Sequence, residues 1–332
     1  MKALLKNIGW VFLEVLLFSI AFIVLLAVQW KAINFLYHDT TQPWEYGNLN
    51  ESTNPYRLTM LSFLPILLAG IGSALLIHTV IFKRSVSTLG FRWDQAGSLF
   101  GRGWLMSLIM IAPGFLLLWI TGQLKLLSPT WSFSYFIGFI LFFFIQSTGE
   151  EVMTRAILIP TIEKRLGILI AVIISGSFFA FLHVWNDHFS WIGFMNILLG
   201  GAIMAILFVV YRNLWICMGY HAGWNFIQGS LFDFNVSGMD VYSFIQWTPV
   251  GYPRLTGADF GYEGSVLAIL LQGILLAYLI RNHKSILMQP KPMPISDEVL
   301  ATDIHNTIPT PLFTLDRETI HPTPSTQEPG SN

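Results

Sequence analysis

Charge is scarce in this sequence. Only 11% of the 332 residues are charged and 54% are hydrophobic, whereas about 25% of a typical soluble domain is charged. This composition excludes an ordinary soluble globular protein. The net charge of −1 provides no basic surface for nucleic acid, so nucleic acid is not an expected partner.

Cysteine and several catalytic signatures are also missing. Cys217 is the single cysteine, which excludes an intrachain disulfide framework and a cysteine-based zinc cluster. It lies in an apolar stretch, where we expect a small buried residue rather than a nucleophile. The sequence has no His-Glu-x-x-His zinc pattern, no nucleophile elbow and no Gly-rich phosphate loop, so three common catalytic designs are absent.

Long hydrophobic runs, in contrast, are abundant. They predict an all-α, polytopic transmembrane helical bundle of about eight spans. The first run is too long for a signal-peptide core, so we expect it to stay in the mature protein. Apolar windows of span length lie at residues 8–30, 58–82, 104–121, 133–149, 167–185, 190–211, 214–231 and 264–280.

Lysine and arginine are unevenly distributed between the loops. The positive-inside rule therefore places both termini in the cytoplasm and the loops 32–57 and 232–262 on the other side. Asn, Asp, Gly and aromatic residues in these two loops suit anchoring at the lipid headgroups. The basic residues concentrate at positions 2–6, 83–102, 164–165, 212 and 281–291.

Two adjacent carboxylates follow the apolar run 133–145. An ionised side chain in hydrocarbon is costly unless it is paired or hydrated, so such groups often mark a site. Glu151 and Arg155 are four residues apart and can pair on one helix face, whereas Glu150 points about 100° away. Pairing of Glu151 would leave Glu150 free; a purely structural Glu–Arg bridge is the alternative.

Two histidines and an asparagine lie in later apolar runs. His183 ends the fifth run, and His221 and Asn225 share one helix face in the seventh. Gly219 and Gly223 beside them would let another helix approach closely. A single histidine in a membrane helix is more often an interhelical hydrogen bonder, but so many polar groups on three spans predict one shared site.

These polar groups are expected to lie in one broad layer. Counting about 1.5 Å per residue from the basic ends at 164–165 and 212 places them about 14 to 27 Å deep. A helix unbroken from Phe133 to Lys164 would be about 47 Å long, against a hydrocarbon core of about 30 Å. We therefore expect a break or strong tilt near Gly149, with the acidic pair opening the second half.

The chemistry that such a cluster fits is hydrolysis. Glu150 can take a proton from water, and His183 can hold that water or a metal that carries it. His221 and Asn225 can donate hydrogen bonds to an oxyanion on an amide carbonyl. The residues thus favour hydrolysis of a peptide bond without a covalent intermediate.

In order, the polar residues resemble the three motifs of the CAAX protease and bacteriocin-processing (CPBP, or Abi) family of intramembrane endopeptidases. The resemblance covers about residues 130–232 and implies a helical-bundle endopeptidase. Glu150 would activate the water with help from His183. The oxyanion would then lie at His221 and Asn225, and the Glu–Arg pair would shape the site. The matching motifs are Glu150-Glu151-x-x-x-Arg155, Phe179-x-x-x-His183 and His221-x-x-x-Asn225.

The resemblance also implies a cofactor and partners. Family members are often classed as metalloproteases, so the expected cofactor is Zn²⁺ held by Glu150, His183 and His221, or none. The expected partners are a membrane-embedded or lipidated peptide or protein substrate and the lipid bilayer. The alternatives are a transporter or proton-relay protein lined by the same groups and a non-catalytic membrane scaffold.

This interpretation divides the chain into four parts. Residues 1–129 hold the N-terminal spans, 130–232 the catalytic core, and 233–284 a non-cytoplasmic loop and the last span. Residues 285–332 are predicted to be a disordered cytoplasmic tail, because Pro, Thr and Ser replace the hydrophobic periodicity there.

Overall fold

The structure, a computed structural model, describes residues 2–37, 67–81, 83–129 and 132–289. The fold class predicted from the sequence, an all-α polytopic helical bundle, is confirmed. The helices are α1 (Lys2–Tyr37), α2 (Leu67–Ile81), α3 (Ala96–Ile120), α4 (Phe133–Glu151), α5 (Leu158–Leu166), α6 (Ile168–Leu182), α7 (Trp191–Tyr211), α8 (Leu214–Asn225), the short α9 (Pro253–Thr256) and α10 (Val266–Leu287).

Each apolar window of the sequence overlaps one of these helices. In the described part, five helical segments are long and apolar enough to cross a membrane, and α2 and α6 are shorter apolar helices. α8 differs from the others because all of its residues except Trp215 are buried. It therefore lies inside the bundle, where polar side chains are shielded from lipid. The long segments are Ile8–Gln29, Trp93–Ile120, Phe133–Leu166, Trp191–Tyr211 and Val266–Leu287.

The helix does not break at Gly149, and a strong tilt, the other form of that expectation, stays a prediction. α4 continues past Gly149, and a π-helical segment (Val152–Ile157) joins it to α5 in one helical run of 34 residues. Gly149 instead allows the backbone of α2 to approach closely, because a Cβ there would lie 3.3 Å from the carbonyl oxygen of Leu67. A π segment inserts an extra residue into a turn and is frequent at functional sites; here it directly follows the two carboxylates.

α3 and α8 pack at close range through glycines, as the small residues of α8 predict. A Cβ on Gly219 would lie 2.1 Å from the carbonyl oxygen of Phe100, and one on Gly103 would lie 2.2 Å from that of Ile216. Such contacts are possible only for glycine. This packing holds the helix that carries His221 deep inside the bundle.

A π-helical segment (Phe226–Leu231) continues α8. Residues 232–265, here called the long loop, follow it and fold over one end of the bundle. Its strand β2 (Ile245–Pro249) pairs antiparallel with β1 (Leu124–Pro129). Trp247 packs edge-on against Phe115 of α3, with ring centroids 5.2 Å apart. Headgroup anchoring is therefore an incomplete account of this loop, because much of its aromatic surface contacts protein.

The opposite end of the bundle carries the basic residues 164–165 and 212. Arg212 forms a two-fold hydrogen bond with Glu163, with both distances 2.6 Å, and Arg165 pairs with the buried Glu14 of α1 at 2.6 Å. The chain is an integral membrane protein, and the cytoplasmic location of both termini stays a prediction. So does the division into four parts; most of the predicted loop 32–57, and the tail from residue 290, lie outside the described residues.

Candidate active site

The polar side chains of the three motifs converge at one place inside the bundle. Oε2 of Glu150 lies 3.9 Å from Nε2 of His183 and 3.7 Å from Nε2 of His221. Oε2 is buried and has no hydrogen-bond partner among the described residues. These separations exceed a direct hydrogen bond and match polar groups that share a bridging water.

The partners of the two imidazoles determine which nitrogen carries a proton. Nδ1 of His183 lies 2.8 Å from the carbonyl oxygen of Phe179, and Nδ1 of His221 lies 2.9 Å from Oε1 of Glu151. Both partners are acceptors, so each Nδ1 donates its proton. In the neutral form, both Nε2 atoms therefore direct a lone pair toward Glu150.

Glu151 belongs to a locked ion pair. Its side chain and that of Arg155 are fully buried, and Oε1 of Glu151 accepts from Nη1 of Arg155 at 3.1 Å. The same oxygen accepts from His221, so this carboxylate orients the ring of the histidine. Glu151 therefore supports the site, while Glu150 faces its open centre.

Arg155 connects three helices. Its Nη2 donates to the carbonyl oxygen of Gly201 in α7 at 3.1 Å, and its guanidinium lies 4.4 Å from the ring centroid of Phe179 in α6. The Phe179 ring also contacts the rings of His183 and His221, with centroids 4.8 and 5.4 Å away. Phe179 thus spaces the arginine from the two histidines.

Gln146 is a member of the site that the sequence reasoning missed. Its Nε2 donates to Oε1 of Glu150 at 3.2 Å, and its Oε1 accepts from Nδ2 of Asn225 at 3.3 Å. This bridge fixes one oxygen of Glu150 and leaves Oε2 directed at the histidines. A polar residue one helical turn before Glu150 in an aromatic run was the available signal.

The uneven depths counted from the sequence do not keep the motif residues apart. Leu214 is fully buried, and its backbone nitrogen donates to the carbonyl oxygen of Gly90 at 2.8 Å. α8 therefore begins beneath the 83–95 segment rather than at the edge of the bundle. His221 lies beside Glu150, with its Nε2 3.7 Å from Oε2 of Glu150.

The donor chemistry of Glu150, His183 and His221 would suit zinc. Among residues 2–37, 67–81, 83–129 and 132–289, however, no group of three or more His, Cys, Asp or Glu side chains is arranged to hold a metal ion. The three side chains as placed therefore do not form a ligand set. The zinc requirement stays a prediction.

The other potential nucleophiles have structural partners. The buried thiol of Cys217 donates to the carbonyl oxygen of Met204 at 3.2 Å. The hydroxyl of Ser175 donates to the carbonyl oxygen of Thr154, beside the π segment, at 2.8 Å. Both residues satisfy backbone groups, which agrees with the packing role expected for Cys217.

A third buried carboxylate approaches the site from the long loop. Glu263 is 6% exposed and accepts from Nε1 of Trp224 at 2.9 Å and from the hydroxyl of Ser237 at 2.5 Å. Burial raises the pKa of Glu263, while its hydrogen bonds from Ser237 and Trp224 act in the opposite direction. Sequence reasoning missed it because a glutamate in a polar loop usually faces water.

Residues 131–227 match the family model described as type II CAAX prenyl endopeptidase Rce1-like. No curated protein and no solved structure matches this chain. The matched segment contains all three motifs and the helices that bring their side chains together. The family predicted from the motifs is therefore confirmed over residues 131–227, the part of the chain that is similar to the CAAX-type intramembrane proteases.

Proposed function

We propose that this protein is an intramembrane endopeptidase that hydrolyses a peptide bond with a water activated by Glu150. The observation that supports it most is the convergence of two imidazole nitrogens on a carboxylate oxygen that has no hydrogen bond from the described residues. The side chains of His183 and Glu150 are 15% and 18% exposed, so a substrate has access to them. The fully buried Glu151 does not offer that access.

The proposed reaction begins with a water between Glu150 and His183. Oε2 of Glu150 takes one proton while the water oxygen attacks the carbonyl carbon of the substrate. Nε2 of His183 accepts a hydrogen bond from the water and orients it. The tetrahedral intermediate then collapses, the C–N bond breaks, and Glu150 returns the proton to the leaving amine nitrogen.

Stabilisation of the oxyanion is assigned to Asn225 and His221. Asn225 has two N–H donors on Nδ2, of which Gln146 accepts one. His221 can donate from Nε2 only when it is an imidazolium, a form that the carboxylate of Glu151 at Nδ1 stabilises. Glu151 would therefore support catalysis through the charge state of His221.

The proposed substrate is a peptide with a lipid anchor near its C-terminus. Support comes from the description of the matched family, which names prenylated CAAX substrates. A lipid anchor would hold the scissile bond at the membrane and offset part of the entropy of binding. The alternative substrate is a peptide that a membrane-spanning helix, instead of a lipid anchor, holds in the bilayer.

A defined peptide panel tests this function. Purified protein is incubated with a farnesylated C-terminal peptide, its unlipidated twin and a transmembrane peptide, and the products are sequenced by mass spectrometry. We expect cleavage of the farnesylated peptide by the wild type and by Glu163→Gln, a control at the far end of the bundle, but not by His183→Ala. Cleavage by His183→Ala at the wild-type rate, or no cleavage by the wild type, would contradict the proposal.

The same preparation separates the alternatives. Metal analysis and chelation test the zinc requirement, because a metal enzyme would lose activity with chelator and recover it with Zn²⁺. The water mechanism proposed here predicts no effect of chelation. A transporter would instead show solute or proton flux in liposomes without cleavage, and a scaffold would show neither activity.

A further inference from the structure

A chain of hydrogen bonds runs through the long loop between the two elements that carry the histidines. Nδ2 of Asn186 donates to the carbonyl oxygen of Ser237 at 3.1 Å, and the hydroxyl of Ser237 donates to Oε2 of Glu263 at 2.5 Å. Oε1 of Glu263 accepts from Nε1 of Trp224 at 2.9 Å. These four residues are here called the loop bridge.

Both ends of the loop bridge lie next to motif residues. Asn186 follows His183 by three residues, in the turn that ends α6. Trp224 lies between His221 and Asn225 on α8. The bridge therefore links the His183 turn to the helix face that carries the other histidine.

We propose that the loop bridge positions His183 relative to His221, so that Ser237 and Glu263 are positioning residues for the reaction. This inference rests on the proposed function, because it assigns the bridge an effect on turnover. It extends the catalytic unit beyond the motifs and beyond residues 131–227. The long loop then contributes to the site without contacting the substrate.

The contact between the loop and the His183 turn is built to be close. A Cβ on Gly238 would lie 2.0 Å from the carbonyl oxygen of Asp187. Gly238 has φ +88°, and Ser237 has φ +50°, an uncommon conformation for a residue other than glycine. The backbone nitrogen of Gly238 donates to the carbonyl oxygen of Phe260 at 3.0 Å, which ties this tip to the end of the loop.

The His183 turn needs such support because α6 has already ended there. His183 is the C-cap of α6, and the backbone from 183 to 190 contains turns rather than helix. The His183 ring has a local anchor, the carbonyl oxygen of Phe179. The position of the whole turn relative to α8 depends on contacts such as the loop bridge, and a displacement of about 1 Å at a catalytic group can reduce a rate about 100-fold.

Kinetics of bridge variants test the inference. In the full-length protein, Glu263→Leu removes both acceptors and Trp224→Phe removes one donor while keeping an aromatic ring. We expect each to lower kcat by about tenfold or more at unchanged KM. The control is Asn235→Ala, which removes a hydrogen bond to the carbonyl oxygen of Asp259 in the same loop and should keep the wild-type kcat.

A conservative variant separates positioning from charge. Glu263→Gln can still accept from the Trp224 indole and can donate to the Ser237 hydroxyl, so the bridge is kept without a charge. We expect it to retain most of the kcat that Glu263→Leu loses. An equal loss in both variants would overturn the positional role, as would a wild-type kcat in Glu263→Leu.

Hydrogen exchange gives a readout that does not depend on turnover. Glu263→Leu should speed amide exchange in the turn 183–190, whereas Asn235→Ala should not. Glu263 itself has no hydrogen bond of the bridge to this turn, so a faster exchange there must be transmitted through Ser237. Unchanged exchange there would overturn the bridge. If Glu263→Leu speeds exchange but the wild type cleaves no peptide, the proposed function fails while the link between the loop bridge and the His183 turn stands. If all bridge variants cleave at the wild-type rate, only the inference about the bridge is rejected.

Discussion

The two neighbouring carboxylates of the first motif occupy very different surroundings. Glu151 is fully buried, pairs with Arg155 and orients His221. Glu150 is partly exposed, and its Oε2 faces two histidines without a hydrogen bond from the described residues. Adjacent residues on one helix thus separate two tasks: one carboxylate holds the site together, and the other is available for chemistry.

Breaking the ion pair between Glu151 and Arg155 should have the largest effect on stability. Arg155→Met keeps the side-chain volume but leaves the buried charge of Glu151 without its arginine partner, which costs about 3–5 kcal/mol. Thermal unfolding in detergent measures this loss. The matched control Arg212→Met breaks a more exposed ion pair with Glu163 and should cost less than about 1 kcal/mol. Equal unfolding temperatures for both variants would remove the distinction between these ion pairs.

Substitutions around Glu150 should change the rate of cleavage rather than the stability of the fold. Asn225→Ala removes a proposed oxyanion donor, so we expect kcat to fall about 100- to 1,000-fold. The unfolding temperature should stay close to that of the wild type, because the Asn225 side chain has one long hydrogen bond of 3.3 Å in the described structure. Single-turnover kinetics with the farnesylated peptide measure the change, and a loss confined to KM would contradict the assignment.

Gln146 connects the rate to the orientation of Glu150. Gln146→Met removes the hydrogen bond to Oε1 of Glu150 with little change in volume, and we expect kcat to fall about tenfold, the equivalent of about 1.4 kcal/mol. Gln146→Glu should be slower still, because a second carboxylate four residues from Glu150 repels it. If both variants matched the wild type, Gln146 would be a packing residue only.

A carboxylate of the long loop should show a smaller effect that depends on pH. Burial raises the pKa of Asp233 from 3.8 to about 6, so folding favours its protonated form. Its contribution to stability is full below about pH 4 and is lost as the pH rises through about 6. Asp233→Asn resembles the protonated form and can still accept from the backbone nitrogen of Trp247, at 2.6 Å in the wild type.

At pH 7.5, Asp233→Asn should therefore be more stable than the wild type by about 1 kcal/mol, after allowance for the partial exposure of this carboxylate. At pH 4 the two proteins should unfold at the same temperature. Unfolding curves at both pH values check the sign. A variant that is less stable at pH 7.5 would mean that the charged form of Asp233 supports the loop.

The helices and the motif residues could be predicted because they carry strong local signals. Long apolar runs define the spans, and charged or polar residues inside them are costly unless they meet. That cost is why Glu150, His183 and His221 could be placed in one site from positions up to about 70 residues apart. The family match over residues 131–227 confirms the motif resemblance that followed from them.

The remaining features depend on tertiary contacts that leave little trace in the sequence. In the π segment after Glu151, the hydroxyl of Thr154 donates to the carbonyl oxygen of Glu150 at 2.6 Å. The spacing of hydrophobic residues in the sequence does not predict this segment. Glu263 is ordinary in a polar loop until Trp224 and Ser237 are placed beside it. Local patterns therefore predicted the spans, whereas the loop contacts required the structure.

The most direct test of the central claim compares Glu150→Gln with Glu151→Gln in the same preparation, measuring turnover and unfolding temperature for each. We predict that Glu150→Gln loses about 1,000-fold or more in kcat and unfolds at the wild-type temperature, whereas Glu151→Gln unfolds at a clearly lower temperature. Wild-type turnover by Glu150→Gln would contradict the account, whatever the behaviour of Glu151→Gln.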